Sequence, residues 1–298
     1  MIDFHAPTLQ DRDWIAPILY AANFPGADYT FNNMYFWSGY YGQVGRIGEF
    51  VTQRAERRGR QIYLYPAGQG DVRPALEEIF SHARRSALPL RLRGITNETK
   101  AILEQYYPGK FVFTSYRDAF DYIYTVEELC NLQGKKLQAK RNHINRFISE
   151  HPAWRTEQIC QDNVSLCETM LQRWYEKHGM SDALENEQRA ISYAMTHFDQ
   201  LQMDGLMILD GDEVVAFSMG TRMNAQYYDV NFEKSFADLT GGYAIINREF
   251  SRMIAEKYPD ILYLNREDDM GLEGLRKAKE SYQPTLLLEK FVADLQEA

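Results

Sequence analysis

The stretch that decides the fold runs from Gly205 to Lys257 and reads GLMILDGDEVVAFSMGTRMNAQYYDVNFEKSFADLTGGYAIINREFSRMIAEK. It opens with three predicted strands, rich in β-branched and aromatic residues: Gly205–Leu209, Glu213–Thr221 and Ala225–Asn231. Asp210-Gly-Asp212 predicts a tight hairpin between the first two. After a loop that ends in Gly241-Gly242, apolar residues at helical spacing predict a helix over Tyr243–Lys257. This order predicts an antiparallel meander followed by a crossover helix.

Similar elements flank this stretch on both sides. A strand, a helix and a strand are predicted after it: Ile261–Asn265, Leu272–Ser281 and Pro284–Phe291. The first half repeats the later part of that order, with strands, the Gly-rich turn Pro66–Gly70, a helix, a strand, a helix and a strand. We therefore expect an α/β (α+β) fold with two mixed sheets and helices on their faces. The predicted domains are residues 1–128 and 129–298.

Composition excludes several classes of protein. The chain has 298 residues, of which 45% are hydrophobic, and 33 basic against 42 acidic residues give a net charge of −9. These values exclude disorder and a disulfide scaffold, and they argue against nucleic-acid binding over the whole surface. No apolar run is long enough for a transmembrane helix. Three cysteines without metal-site spacing favour a cytoplasmic protein that holds no metal.

A basic segment stands out in this acidic chain. Residues 135–147 form a predicted linking helix that carries Lys135, Lys136, Lys140, Arg141 and Arg146. Lysine and arginine in this density suit an anionic donor or the phosphates of a tRNA acceptor end. The alternative is a solvated helix whose cations offset the acidic body of the protein. We select Lys136, Lys140 and Arg141 as candidate donor-binding residues.

The glycines before the predicted helix at Tyr243 form a second candidate site. Gly241 and Gly242 allow the backbone to approach a ligand closely, and the helix start offers unpaired N–H groups to an anion. A tight turn with a helix cap is the alternative. Tyr228 and Asn231 lie on the preceding strand, which would line the same cleft.

The second half resembles the GNAT acyltransferase fold. Gly242-Tyr243-Ala244 matches the end of the diphosphate-loop pattern Arg/Gln-x-x-Gly-x-Gly/Ala, with Leu239 at the Arg/Gln position. Residues 132–147, 258–271 and 275–284 are similar to soluble relatives of the phosphatidylglycerol lysyltransferase C-terminal domain, and the resemblance covers essentially the whole chain. It implies two tandem GNAT-like domains and a distant similarity to the Fem-type aminoacyl transferases.

The resemblance also implies catalytic candidates. Lys279, in Lys277-Ala-Lys-Glu-Ser-Tyr282, falls at the position of a Fem-type lysine thought to assist aminoacyl transfer. It would stabilise negative charge on the donor ester, or it is a solvated helix charge. Asp268 and Asp269 follow the strand at Ile261–Asn265, where they would bind an ammonium group or accept its proton, or would cap the next helix.

Two functions follow from these expectations. The first is a transferase that moves an acyl or aminoacyl group from acyl-coenzyme A or aminoacyl-tRNA to an amine or hydroxyl of a small-molecule or peptide acceptor. The second is a non-catalytic GNAT-like module that binds an anionic ligand or partner, and Leu239 favours it.

Overall fold

The computed structural model describes residues 2–86, 88–179 and 181–296. The chain divides into two compact units, and both are discontinuous in sequence. Unit 1 comprises residues 1–122, 268–273 and 287–298, and unit 2 comprises residues 123–267 and 274–286. The division at residue 128 stays a prediction for the domains, but the closing segment 287–298 clusters with the first unit.

The helices and strands of the first part of the chain are α1 (Arg12–Ala22), α2 (Phe31–Phe36), α3 (Ser38–Tyr41), β1 (Gln43–Ile47), β2 (Phe50–Arg57), β3 (Arg60–Leu64), β4 (Ala67–Gly68), α4 (Arg73–Arg84), β5 (Leu90–Ile95), α5 (Asn97–Tyr106), β6 (Phe111–Ser115) and β7 (Asp121–Thr125). Strands β1 and β2 form an antiparallel hairpin, in which Gly48 turns the chain with a φ of 56°.

The remaining elements are α6 (Val126–Asn131), α7 (Gln138–Glu150), β8 (Trp154–Gln158), α8 (Val164–His178), α9 (Asp182–Thr196), β9 (Asp204–Asp210), β10 (Glu213–Arg222), β11 (Tyr227–Ser235), α10 (Gly242–Lys257), β12 (Tyr263–Asn265), α11 (Glu273–Glu280), β13 (Leu286–Leu288) and β14 (Phe291–Leu295). The predicted final strand Pro284–Phe291 contains β13, and β14 begins at its last residue.

The first sheet has the strand order β1-β2-β3-β5-β14-β6, with β4 paired to β2. The pair β3 and β5 is parallel and the other neighbours are antiparallel, so the sheet is mixed. Helix α4 covers it with an apolar face at i, i+3 and i+4 spacing, formed by Leu76, Ile79, Phe80 and Ala83. Burial of this face provides the core of unit 1.

The second sheet has the strand order β13-β7-β12-β11-β10-β9-β8. Strands β9, β10 and β11 form the predicted antiparallel meander, and β11 and β12 are parallel, so this sheet is mixed as well. Helix α10 connects β11 to β12 and buries Ile245, Phe250 and Ile254. The parallel pairing stops at Asp229 and Asn265, so that Val230–Ser235 continues without β12 beside it.

Candidate functional site

A cluster of charged and aromatic side chains lies beyond the point where β11 and β12 separate. It consists of Lys140, Glu233, Arg266, Lys279 and Tyr282, and we call it the Arg266 cluster. All five residues belong to unit 2. A β-bulge shifts the register of β11 against β10 between Asp229 and Phe232, so alternation does not run unbroken along β11. Glu233 and Tyr228 both contact α10, through Asn247 and Phe250 respectively.

An ion pair forms the centre of the cluster. The Arg266 Nη2 atom donates to Glu233 Oε1 at 2.7 Å, and the two side chains are only 11% and 10% exposed. Burial lowers the pKa of Arg266 and the Glu233 carboxylate raises it, with a net upward shift. Glu233 Oε2 accepts a second hydrogen bond from Asn247 Nδ2 at 3.3 Å. The carboxylate therefore holds one group from the end of β12 and one from α10.

Aromatic rings surround the cations. Lys140 Nζ lies 3.9 Å from the centroid of the Tyr282 ring, and the Arg266 guanidinium lies 4.9 Å from the same centroid. Burial, and next the charge of Arg266, lower the pKa of Lys140 to about 8, although Glu233 opposes this shift. The amine of Lys140 is therefore partly neutral near physiological pH, which a solvated lysine is not.

Lys279 is buried although it lies on a short, polar helix. Its Nζ atom donates to the carbonyl oxygen of Arg266 at 2.5 Å, and its own carbonyl oxygen accepts from the Tyr124 hydroxyl at 2.7 Å. A solvated helix charge is therefore the wrong interpretation of this residue, whereas Lys277 on the same helix is exposed. The structure brings together two of the predicted residues, Lys140 and Lys279.

Arg141 and Lys136, which were also predicted to bind the donor, are not members of the Arg266 cluster. Arg141 Nη1 donates to the carbonyl oxygen of Gly134 at 2.8 Å and also contacts that of Leu132, so it binds the loop that precedes α7. Lys136 is exposed. Their role in binding a donor stays a prediction, and the local geometry gives Arg141 a structural function.

The glycine loop is packed against its own protein. Gly241 has a φ of 84°, and a Cβ atom added there would lie 2.3 Å from the carbonyl oxygen of His143 on α7. A Cβ atom on Gly242 would lie 2.1 Å from Ser235 Oγ. Contact between α10, α7 and β11 is thus sufficient to explain both glycines, and donor binding by this loop stays a prediction.

Tyr228 and Asn231 each bond to a residue outside the cluster. Tyr228 is fully buried, and its hydroxyl donates to Asp204 Oδ2 at 3.1 Å, so it belongs to the core. Asn231 Nδ2 donates to Asp229 Oδ2 at 2.9 Å.

The two predicted carboxylates belong to unit 1. Asp269 is fully buried and accepts from Tyr122, Arg117 and the Gly271 amide, which makes it an anchor for its loop. Asp268 accepts from the Met270 amide at 3.1 Å. A catalytic role for either residue stays a prediction.

In unit 1, Tyr29 occupies the space at the end of the parallel strand pair. Strands β3 and β5 are the parallel pair there, and the Tyr29 hydroxyl lies 3.0 Å from the carbonyl oxygen of Gly94 and 3.3 Å from that of Tyr65. Tyr29 is only 3% exposed. A substrate carbonyl therefore has no room between these strands, and the Arg266 cluster is the better candidate site.

No sequence motif identified Arg266 or Asn247 as site residues. Arg266 directly follows the predicted strand Ile261–Asn265, in a position that commonly carries functional residues in mixed sheets. This position directly after a strand is the sequence feature that could have identified Arg266 as a site residue. Glu233, its partner, lies 33 residues earlier in the chain, so no local motif joins the two.

Comparison with known proteins agrees with this architecture. A conserved protein of unknown function from Bacteroides thetaiotaomicron VPI-5482 is 35% identical, with a TM-score of 0.94 over 99% of this chain and 100% of that one. L-PGS from Bacillus licheniformis is 16% identical, with a TM-score of 0.62 over 84% of this chain and 82% of that one. FemX is 10% identical, with a TM-score of 0.61 over 97% of this chain and 96% of that one.

An uncharacterized protein of Mycoplasmoides gallisepticum, MYCGA3080, is 23% identical over 176 residues, which are 58% of this chain. The chain matches only 55% of the length of that relative. Among the described residues, no helix has both the length and the apolar character needed to cross a bilayer.

The predicted α/β (α+β) fold class with two mixed sheets is confirmed. The sequence profile of the family described as "Phosphatidylglycerol lysyltransferase, C-terminal" matches residues 22–294, which is most of the chain. The resemblance that the sequence motifs indicate is therefore confirmed, and the chain belongs to the family of the phosphatidylglycerol lysyltransferase C-terminal domain.

Proposed function

We propose that the protein is a transferase that moves an acyl or aminoacyl group from an activated donor to an amine or hydroxyl acceptor. The observation that carries the proposal is the Arg266 cluster, in which three cations and one carboxylate are gathered beyond the end of the parallel β11–β12 pairing. The donor is an aminoacyl ester of tRNA or a thioester of coenzyme A.

The chemistry needs stabilised negative charge and a path for one proton. The acceptor nitrogen or oxygen bonds to the acyl carbon, the C–O or C–S bond to the donor breaks, and the acceptor proton ends on the leaving oxygen or sulfur. Cations in a desolvated site stabilise the oxyanion that develops between these steps. Lys140 fits the proton transfer, because its pKa of about 8 lets it accept a proton and release it again.

A labelled-donor assay tests the proposal. The protein is incubated with radiolabelled aminoacyl-tRNA or acetyl-coenzyme A and a panel of amine and hydroxyl acceptors, and transfer of label is measured. We expect one donor class to support transfer, and Lys279→Met to lower turnover by about 100-fold with a smaller effect on KM. Lys277→Met, on the exposed face of the same helix, is the matched control. Equal rates for the two variants would remove Lys279 from the mechanism.

A binding module without catalysis is the second candidate function. It is favoured by Leu239, which replaces the Arg or Gln of the diphosphate loop, and by the close packing of Gly241 on α7. In that case, a donor would raise the melting temperature by binding the native state, but no acceptor would become labelled.

A further inference from the structure

One charged donor atom of Arg266 has no acceptor in the part of the chain that the structure describes. Its Nη2 atom is bonded to Glu233, but its Nη1 atom is buried and has no hydrogen-bond partner among the described residues. The rings of Tyr124 and Tyr282 lie 5.7 and 4.9 Å from the guanidinium carbon, and a ring face is a weak acceptor compared with an oxygen. Buried charged N–H groups without an acceptor are destabilising, so native structures contain few of them.

A second buried polar atom belongs to Asn247, whose side-chain nitrogen is bonded to the same Glu233 carboxylate. Asn247 is 3% exposed, and its Oδ1 atom has no hydrogen-bond partner in the part of the chain that the structure describes. Its orientation is fixed because Glu233 Oε2 can accept a hydrogen bond but cannot donate one, so Nδ2 must face the carboxylate. Glu233 thus positions two side chains, each with one buried polar atom that has no partner among the described residues.

The charge around Arg266 favours an anion. Lys140 lies over the Tyr282 ring that also faces the guanidinium, and Lys279 bonds to the carbonyl oxygen of Arg266. Glu233 is the carboxylate paired with Arg266, so with Lys140 protonated three positive charges and one negative charge give 3 − 1 = +2. In a partly desolvated site, this excess attracts an anionic oxygen more strongly than it would in water.

Lys279 contacts Arg266 at the backbone and not at the guanidinium. Its Nζ atom is bonded to the Arg266 carbonyl oxygen, so it holds the backbone from which the guanidinium extends. We propose that Arg266 binds an anionic oxygen of the substrate through Nη1 and that Lys279 is a positioning residue that acts through Arg266. This inference rests on the proposed function for its biological meaning, but it concerns binding and can be tested without turnover.

Isothermal titration calorimetry with inorganic pyrophosphate and with malonate, at matched ionic strength, tests the binding site. We expect saturable binding of at least one anion, and the anion that binds distinguishes a phosphate ligand from a carboxylate ligand. Arg266→Gln should weaken binding by about tenfold or more, because one charge-assisted hydrogen bond is lost. Arg146→Gln, on the exposed face of α7, is the control and should bind as the wild type does.

A second variant covers the case in which Arg266→Gln does not fold. Arg266→Lys keeps a cation beside Glu233 but lacks the second arm of the guanidinium, so its affinity should also fall. Lys279→Met should weaken binding less than Arg266→Gln, Lys279→Arg should restore it, and Lys277→Met should leave it unchanged.

The outcomes separate this inference from the proposed function. Absence of binding by the wild type, or wild-type affinity in a folded Arg266 variant, would overturn the anion site. Unchanged affinity in Lys279→Met would overturn the positioning role. Label transfer that is insensitive to Arg266→Gln would overturn the inference and leave the transferase intact. Anion binding lost in Arg266→Gln, in a protein that transfers no label, would support the site and refute the transferase.

Discussion

Replacement of Lys140 by methionine should stabilise the protein in a pH-dependent manner. The ordinary pKa of lysine is 10.5, and burial with the nearby Arg266 charge lowers it to about 8 in the folded protein. At about 1.4 kcal/mol per pKa unit, the full difference corresponds to about 3 kcal/mol. Since the amine is partly exposed, solvent screening reduces this, and we expect Lys140→Met to be about 1–2 kcal/mol more stable at pH 7.

The direction of the pH dependence follows from proton binding. Between pH 8 and 10.5, the unfolded wild-type chain holds the Lys140 proton while the folded protein has released it, so wild-type stability rises with pH in this window. Methionine cannot titrate, and the advantage of Lys140→Met should therefore be largest below pH 8 and should shrink up to pH 10.5.

Urea unfolding at several pH values between 7 and 10.5, under reducing conditions, measures this difference. Lys136→Met is the matched control, because Lys136 is an exposed cation of the same basic segment. A stability difference for Lys140→Met that stays constant with pH, or that grows as pH rises, would refute the argument that Lys140 is desolvated beside Arg266.

Two further predictions concern the same unit. Gly241→Ala should lower the free energy of unfolding by about 2 kcal/mol or more, since alanine disfavours a φ of 84° and its Cβ would meet a backbone oxygen at 2.3 Å. Gly211→Ala, with a φ of 61° and open space, should lose only about 1 kcal/mol, and equal losses in urea unfolding would contradict this. Glu233→Ala should lose about 3–5 kcal/mol, because it leaves Arg266 charged and buried, and a loss near zero would mean the pair is solvated.

Local patterns in the sequence were sufficient to predict most of the second sheet. The meander of β9, β10 and β11 follows from short apolar runs and the turn at Asp210-Gly-Asp212, and α10 follows from apolar spacing after Gly242. These features depend on residues close together in the chain, and local preferences therefore determine them.

Features set by distant partners could not be predicted in the same way. The strand at Phe291–Leu295 has an ordinary strand composition. Its pairing between β5 and β6 depends on strands that lie far earlier in the chain. The role of Arg266 depends on Glu233 and on burial by the rings of Tyr124 and Tyr282. Charge density identified the basic segment, but only the structure distinguishes Lys140 from Arg141.

The position of β14 has a consequence for protein synthesis. This strand lies inside the first sheet, between β5 and β6, although it is translated after all of unit 2. The ribosome must therefore complete residues 291–295 before the first sheet can close, and the nascent N-terminal segment waits with two strand edges exposed to chaperones. Unit 2 can be finished first, so the order of folding should run opposite to the order of translation.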